Sequence, residues 1–368
     1  MEQISNIGVS ALINARGPFT PLGVSRSSQS VSAATADALL EFADVSALHG
    51  AANAALRDFA GSEAGTVVHC AAAAVTLAVA GLMTGADAEK VAALPNTTGM
   101  RNRVVLPRGH SVNYGHPIEQ AIRLSGAKPV FAGDETECSV SMIADAIEHP
   151  GTCCLLLVVS RLTTGQAVDL TGAIEAAHVK GLPVVIDGAA QVFRARELVA
   201  MGADLLIVSG QKYLGSPTAG LVFGRSTLIN GVRAQDKGIG RGMKASKEAL
   251  RGVLAAIQHF SSQNEDDWKM VQTEKVSIFN ERLNRVDGVT ATAEPDPTNA
   301  PFPRACLKLD PARVGRSAVE VSELLKSGSP SIWVMDHRAE HQEIILELVP
   351  LCEAEVDVIV ERLSELMS

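Results

Sequence analysis

The chain has 368 residues, 46% hydrophobic and 20% charged, enough to bury a core in two domains or in one large α/β domain with a smaller appendage. A formal charge of −9 argues against a general nucleic-acid surface, which needs clustered Lys and Arg, and suits a small-molecule partner. Six cysteines, at 70, 138, 153, 154, 306 and 352, show neither metal-ligand nor disulfide spacing, so no metal is expected and a reducing compartment is the simpler reading.

MEQISNIGVS carries an early acid and no apolar run of signal-peptide length, so the expected location is cytoplasmic. Residues 1–30 then read as an irregular arm rich in Gly, Pro and Ser (INARGPFTPLGVSRSSQS). Apolar residues recur at helical intervals through 31–60, and Gly61 closes that run. The longest apolar stretch, VVHCAAAAVTLAVAGLMTG (67–85), is mostly alanine and contains His69; it reads as a buried helix and not as a membrane span.

Strand-like and helical segments alternate from there. GTVVHC leads into the alanine-rich helix, NRVVLPRG into HPIEQAIRLSG, KPVFAG into SVSMIADAIEHPG, TCCLLLVVS into DLTGAIEAAHVKG, and PVVIDG into FRARELVAMG. DLLIVSG then precedes Lys212, and GLVFGR follows. This alternation predicts parallel pairing with right-handed crossovers, and the continuous apolar strands predict helices on both sheet faces. Catalytic groups belong at the carboxyl ends of such strands. Beyond about residue 260, a long helix (DDWKMVQTEKVSIFNERLNRV), the strands RACLKLD, SIWVMD and EIILELV, and a closing helix predict a small α+β domain. The expected division is an arm at 1–30, a large domain at 31–260 and a small domain at 261–368.

Two of these strand ends carry charge. Asp187 closes VVID, and Ser209 and Lys212 follow LLIV. A desolvated lysine has a lowered pKa and is a usable nucleophile for a carbonyl, whereas a neighbouring carboxylate would raise that pKa unless something separates the two. A pyridinium ring would separate them, and an acid on the ring nitrogen with a lysine on the aldehyde is the pair that pyridoxal phosphate requires. A structural salt bridge, or two solvated charges at a loop rim, reads the same pair without a cofactor. VVHCAAAAV could offer free N–H groups to a phosphate, or simply pack as a core helix. His110, in LPRGHSVNYGH, could stack on an aromatic ring or stand in a surface loop, and Ser209 could donate to phosphate or close a turn.

The run DGAAQ…GADLLIVSGQKYLGSPTAGLVFGR, with INARGPFTPLG and LPNTTGMRNRVVLPRGH upstream and GIGRGMK downstream, resembles the selenocysteine-synthase-like branch of fold-type-I pyridoxal-phosphate enzymes. That branch contains the bacterial L-seryl-tRNA selenium transferases and the D-glucosaminate-6-phosphate ammonia-lyase-like proteins. The resemblance implies a three-layer α/β large domain of the aminotransferase type with a mostly parallel sheet, and pyridoxal 5'-phosphate as cofactor. It implies that Lys212 forms the Schiff base, Asp187 partners the ring nitrogen and Ala189 lies beneath the ring. Ala71, Ala72 and Ser209 would lie at the phosphate, and His110 would face the ring.

The resemblance further implies a homodimer or higher homo-oligomer, with Arg241 and Lys244 serving the neighbouring site. The chain also departs from its relatives: His69-Cys70 replaces a Ser-Gly pair, Met335 stands where an arginine is common with Arg338 three residues on, and Arg16 replaces a small residue. Arg16, Arg241 and Arg338 are therefore the candidate substrate-binding cations. The expected activity is a lyase that eliminates ammonia from a hydroxylated amino acid or amino-sugar acid, D-glucosaminate 6-phosphate being one candidate. The alternatives are selenium transfer to seryl-tRNA, a racemase, aldolase or aminotransferase outcome with the same cofactor, and a non-catalytic binding protein on this scaffold.

Overall fold

The computed structural model describes residues 11–367. The stretch MEQISNIGVS, on which the expectation about secretion rests, lies outside them. The chain divides into two compact units, one containing residues 27–262 and the other the residues up to Arg26 together with those from Gln263 onward.

The strands in chain order are β1 (Leu12–Asn14), β2 (Ala64–Val68), β3 (Arg103–Pro107), β4 (Lys128–Ala132), β5 (Thr152–Val158), β6 (Val184–Asp187), β7 (Leu205–Ser209), β8 (Gly220–Gly224), β9 (Val289–Pro295), β10 (Pro303–Leu309), β11 (Ser331–Trp333) and β12 (Glu343–Leu346). Seven of them form the sheet of the larger unit, in the order β2-β8-β7-β6-β5-β3-β4. The five from β7 to β4 run parallel, whereas β8 is antiparallel to both β7 and β2. The chain is thus an α/β protein with a mainly parallel central sheet. β8 departs from the strand–helix alternation because β7 reaches it through the loop 210–219, which holds no crossover helix, so the chain must turn back on itself.

β5, β6 and β7 are buried along their whole length, as strands covered by helices on both faces must be. The alanine-rich stretch splits at His69-Cys70 into the end of β2 and the helix Ala71–Thr84. Alanine favours that helix intrinsically and also lets neighbours approach closely. A side-chain carbon at Gly81 would lie 2.6 Å from the Val232 nitrogen, so this helix and Ser226–Ala234 meet backbone to backbone. Among the described residues no helix is long and apolar enough to cross a membrane. The expected helical run over 31–60 is two helices, Gln29–Leu40 and Val45–Ala60; Asp44 caps the second by accepting from the Ser46 and Ala47 N–H groups, and Gly61 ends it at φ 68°.

In the other unit, β9, β10 and β12 form an antiparallel sheet, while β1 pairs in parallel with β11. The Gly/Pro-rich arm therefore supplies a strand to the unit built mostly from the C-terminal third. The helices Glu265–Leu283 and Glu353–Leu366 complete that unit's core with Phe279, Leu283, Ile359 and Leu363.

Candidate active site

β2, β3, β5, β6 and β7 all point the same way, so their carboxyl ends form one rim of the larger unit. Gly220, at the start of β8, is in register with both Val68 and Ser209. This places the amino terminus of the helix Ala71–Thr84 beside the end of β7. A side-chain carbon at Gly220 would lie 2.5 Å from the Cys70 carbonyl carbon and 3.0 Å from the Ala71 nitrogen, so only glycine permits the approach.

Cys70 caps this helix: its Sγ accepts from the Ala73 N–H at 3.5 Å and its carbonyl from the Ala74 N–H at 2.9 Å. The N–H groups of Ala71 and Ala72, in the first turn, have no acceptor within the helix and stand at its electropositive end. The His69 N–H donates to the Met243 carbonyl at 2.8 Å, and Lys244 bridges to Val68. The basic turn Ile239–Met243, which carries exposed Arg241, is thereby tied to the strand that feeds this helix.

Asp187, Ala189 and Ser209 are joined through the backbone. The Ala189 N–H donates to Asp187 Oδ1 at 3.1 Å, and the Ser209 N–H donates to the Ala189 carbonyl at 3.0 Å. Asp187 and Ser209 are each 6% exposed. Burial pushes the Asp187 carboxyl above its usual range, against the opposing effects of Lys212 and the Ala189 N–H. Burial likewise pushes the Lys212 ammonium below its usual range; the attraction of Asp187 opposes this shift and the positive charge of Arg161 adds to it. For each partner burial is the larger influence and the other's charge opposes it.

His110 is buried in the short turn after β3. The Val158 N–H, at the end of β5, donates to its Nδ1 at 3.0 Å. Because a backbone N–H can only donate, Nδ1 carries no proton and the neutral ring is protonated on Nε2. Burial lowers the imidazole pKa to about 4. Gly109 makes the turn possible: a side-chain carbon there would collide with the Thr164 carbonyl, which belongs to the loop that follows β5.

The structure thus brings Lys212, Asp187, Ala189, Ser209, His110, Ala71 and Ala72 to one rim. Arg16 and Arg338 belong to the other unit, and carboxylates already hold both. Arg16 Nη1 lies 3.4 Å from Asp336 Oδ1, with its guanidinium 4.4 Å over the Phe19 ring. Arg338 Nη1 contacts Glu294 Oε2 at 3.0 Å and Glu343 Oε2 at 3.4 Å. Two residues at the rim carry no role in the sequence expectations: Arg161, whose charge acts on Lys212, and Tyr114, whose phenol is influenced by Asp187 and Cys70. Arg161 follows β5 by three residues, so its place after a strand was the only signal for it.

These residues suit a ring that carries both a basic nitrogen and a phosphate. A buried carboxylate that already accepts from a backbone N–H is the partner a protonated ring nitrogen needs. The helix terminus opposite it offers N–H groups to an anion. A profile of the aminotransferase class-V family matches residues 104–301. The chain belongs to the aminotransferase class-V family. As a member it is a fold-type-I enzyme dependent on pyridoxal 5'-phosphate.

Within this family the similarity extends over almost the whole chain. The chain is 35% identical to a 5'-C-glycyluridine monooxygenase-decarboxylase of a Streptomyces species, over 99% of its length and 92% of the relative's. It is 32% identical to the D-glucosaminate-6-phosphate ammonia lyase of Salmonella typhimurium, over 98% and 96%. A solved D-glucosaminate-6-phosphate ammonia-lyase structure superimposes with a TM-score of 0.89 at 31% identity, covering 99% of this chain and 97% of that one. The L-seryl-tRNA(Sec) selenium transferase of Aquifex aeolicus is more distant, 22% identical over 74% and 67%.

Proposed function

We propose that the protein is a pyridoxal-phosphate-dependent lyase that removes ammonia from a small hydroxylated amino acid or amino-sugar acid, with D-glucosaminate 6-phosphate as the first substrate to test. The observation that carries this reading is the full-length likeness to the ammonia lyase, in sequence and fold, in a chain that sets Lys212 and Asp187 on adjacent strand ends.

The bound cofactor supplies an aldehyde for the substrate's amine and a ring that takes up the electron pair released at the α-carbon. Lys212 would hold the cofactor's aldehyde and, as a free amine, would move the substrate's α-proton. Burial lowers its pKa, which favours the neutral amine that this role needs. Asp187 would partner the cofactor's ring nitrogen, and Ala189 and His110, the latter with a neutral imidazole, would line the ring. Ala71, Ala72 and Ser209 would hold the phosphate. Arg241, with Lys244, supplies positive charge for an acidic substrate, and the enzyme works as a homo-oligomer. The reaction is balanced: loss of the β-hydroxyl as water leaves an enamine, and hydrolysis returns that water to give the 2-keto acid and ammonia.

A second reading is an oxygen-using decarboxylation of an amino acid, favoured by the 35% identity to the monooxygenase-decarboxylase. One assay separates the two. Purified enzyme with added cofactor is incubated with a panel of hydroxylated amino acids and amino-sugar acids, and 2-keto acid, ammonia, carbon dioxide and oxygen uptake are followed. Keto acid and ammonia in equal amounts, without oxygen uptake, are expected; oxygen uptake with carbon dioxide replaces the first reading by the second. Borohydride reduction should place the cofactor on Lys212, and Lys212→Ala should lower turnover about 10²–10⁴-fold. A label on any other lysine overturns the assignment.

A further inference from the structure

The chain leaves β5 at Val158, in register with Asp187, and the Val159 N–H donates to the Asp187 carbonyl at 2.9 Å. Residues 160–163 then turn. The Leu162 N–H donates to Ser160 Oγ at 3.2 Å, and the Thr163 hydroxyl donates to the Ser160 carbonyl at 2.9 Å. Beyond the turn the Thr164 N–H donates to the Gly109 carbonyl at 3.0 Å, beside His110, and the Gln166 N–H to the Thr136 carbonyl at 2.8 Å, in the loop that follows β4. Backbone bonds on both sides thus fix a turn whose tip, Arg161 and Leu162, is exposed.

Arg161 therefore stands on the rim between the backbones of Asp187 and His110. On the other side of Asp187, the Gly188 N–H donates to the Ile207 carbonyl at 2.9 Å and the Lys212 N–H to the Ser209 carbonyl at 3.4 Å. The turns that carry Arg161 and Lys212 follow β5 and β7, which flank β6 and so lie two strand spacings apart, about 10 Å. The long side chains of an arginine and a lysine together span that gap, and the charge of Arg161 acts on Lys212.

A substrate's amine must reach the aldehyde that Lys212 holds, and in an amino acid the carboxylate stands on the carbon next to that amine. A cation one turn away from Lys212 on the same rim is therefore placed for the carboxylate, whereas the far end of an amino-sugar acid lies several carbons off. An unpaired carboxylate there would also be repelled by the buried acid Asp187. Arginine suits the task, because its planar fork offers two parallel N–H groups to a carboxylate. Arg16 and Arg338, which the sequence singles out for this part, are engaged with carboxylates instead.

We propose that Arg161 binds the substrate carboxylate adjacent to the reacting amine. This rests on the reading of the rim as the pyridoxal-phosphate site. The test uses the enzyme loaded with pyridoxal phosphate and two small amines, glycine, which carries the carboxylate, and glycinamide, which lacks its charge. Their dissociation constants are read from the change in the cofactor's visible absorbance, for the wild type, Arg161→Gln and Arg161→Lys.

Arg161→Gln should weaken glycine about ten- to hundredfold and glycinamide less than about twofold. Arg161→Lys, which keeps the charge but not the fork, should bind glycine with an affinity between those of the wild type and Arg161→Gln. Equal losses for both amines, or unchanged affinity for glycine in Arg161→Gln, overturn the proposal. A wild-type protein that takes up no pyridoxal phosphate overturns the cofactor-site reading and this proposal with it, whereas a loaded enzyme whose preference between the two amines survives the substitution overturns the proposal alone.

Discussion

The Val158 N–H fixes the tautomer of His110. It donates to Nδ1 at 3.0 Å, so the ring presents a protonated Nε2 and cannot accept a second proton without breaking that bond. Two strand ends far apart in sequence thereby set the state of one side chain.

A pH dependence of stability follows. The folded-state pKa of His110, about 4, lies below the unfolded value near 6.5, so below the unfolded value the open chain binds a proton that the folded one refuses. His110 thus contributes nothing adverse at neutral pH, and stability is lost as pH falls from 6.5 toward about 4. Its share amounts to about 2 kcal/mol between about pH 7.5 and about pH 5. Denaturant midpoints of the apoenzyme should show it: His110→Gln, which can still accept from Val158, should flatten the acid-side loss by that amount. An unchanged slope means the imidazole is not the responsible group.

Asp187→Asn should move the apoenzyme and the loaded enzyme in opposite directions. The amide keeps an acceptor for the Ala189 N–H and removes a carboxylate charge that burial disfavours, so the apoenzyme should gain stability at neutral pH. The loaded enzyme loses the partner of the ring nitrogen, so the rise in Tm on adding cofactor should shrink and turnover should fall by about 10²-fold or more. A purely structural aspartate would lower both melting temperatures.

Gly220→Ala should destabilise the protein by about 1–3 kcal/mol and also weaken cofactor binding, because the new methyl group would push on the Cys70 carbonyl and the amino terminus of its helix. Gly50→Ala is the control. That glycine lies inside the helix Val45–Ala60 with open space around it, so alanine there should stabilise by about 0.5–1 kcal/mol and leave binding unchanged. Thermal melts with and without cofactor distinguish the two outcomes; identical behaviour would remove the packing argument at Gly220.

Most of the rim could be read from the chain. Asp187 and Lys212 each follow a short run of apolar residues, so their placement at strand ends needed only the pattern. Tyr114 could not be read that way, since YG between a histidine turn and a helix looks like any loop. Its burial, and the influence of Asp187 and Cys70 from remote segments, arise only in the folded chain. Arg16 and Arg338 read from the chain as candidate substrate cations, and only the structure sets Asp336 beside the first and Glu294 and Glu343 beside the second. Ion pairing between distant segments leaves no periodic trace.

The sequence by itself determined most element types, the common direction of the larger unit's strands other than β8, and the rim at which chemistry belongs. Those follow from local periodicity and from the handedness of strand–helix–strand crossovers, which act over a few tens of residues. Only the tertiary structure decided the lateral order β2-β8-β7-β6-β5-β3-β4, the reversal of β8 and the union of the arm's β1 with β11. These rest on contacts between segments remote in the chain, where close packing and the satisfaction of buried polar groups, with no signature in any single stretch, select one arrangement.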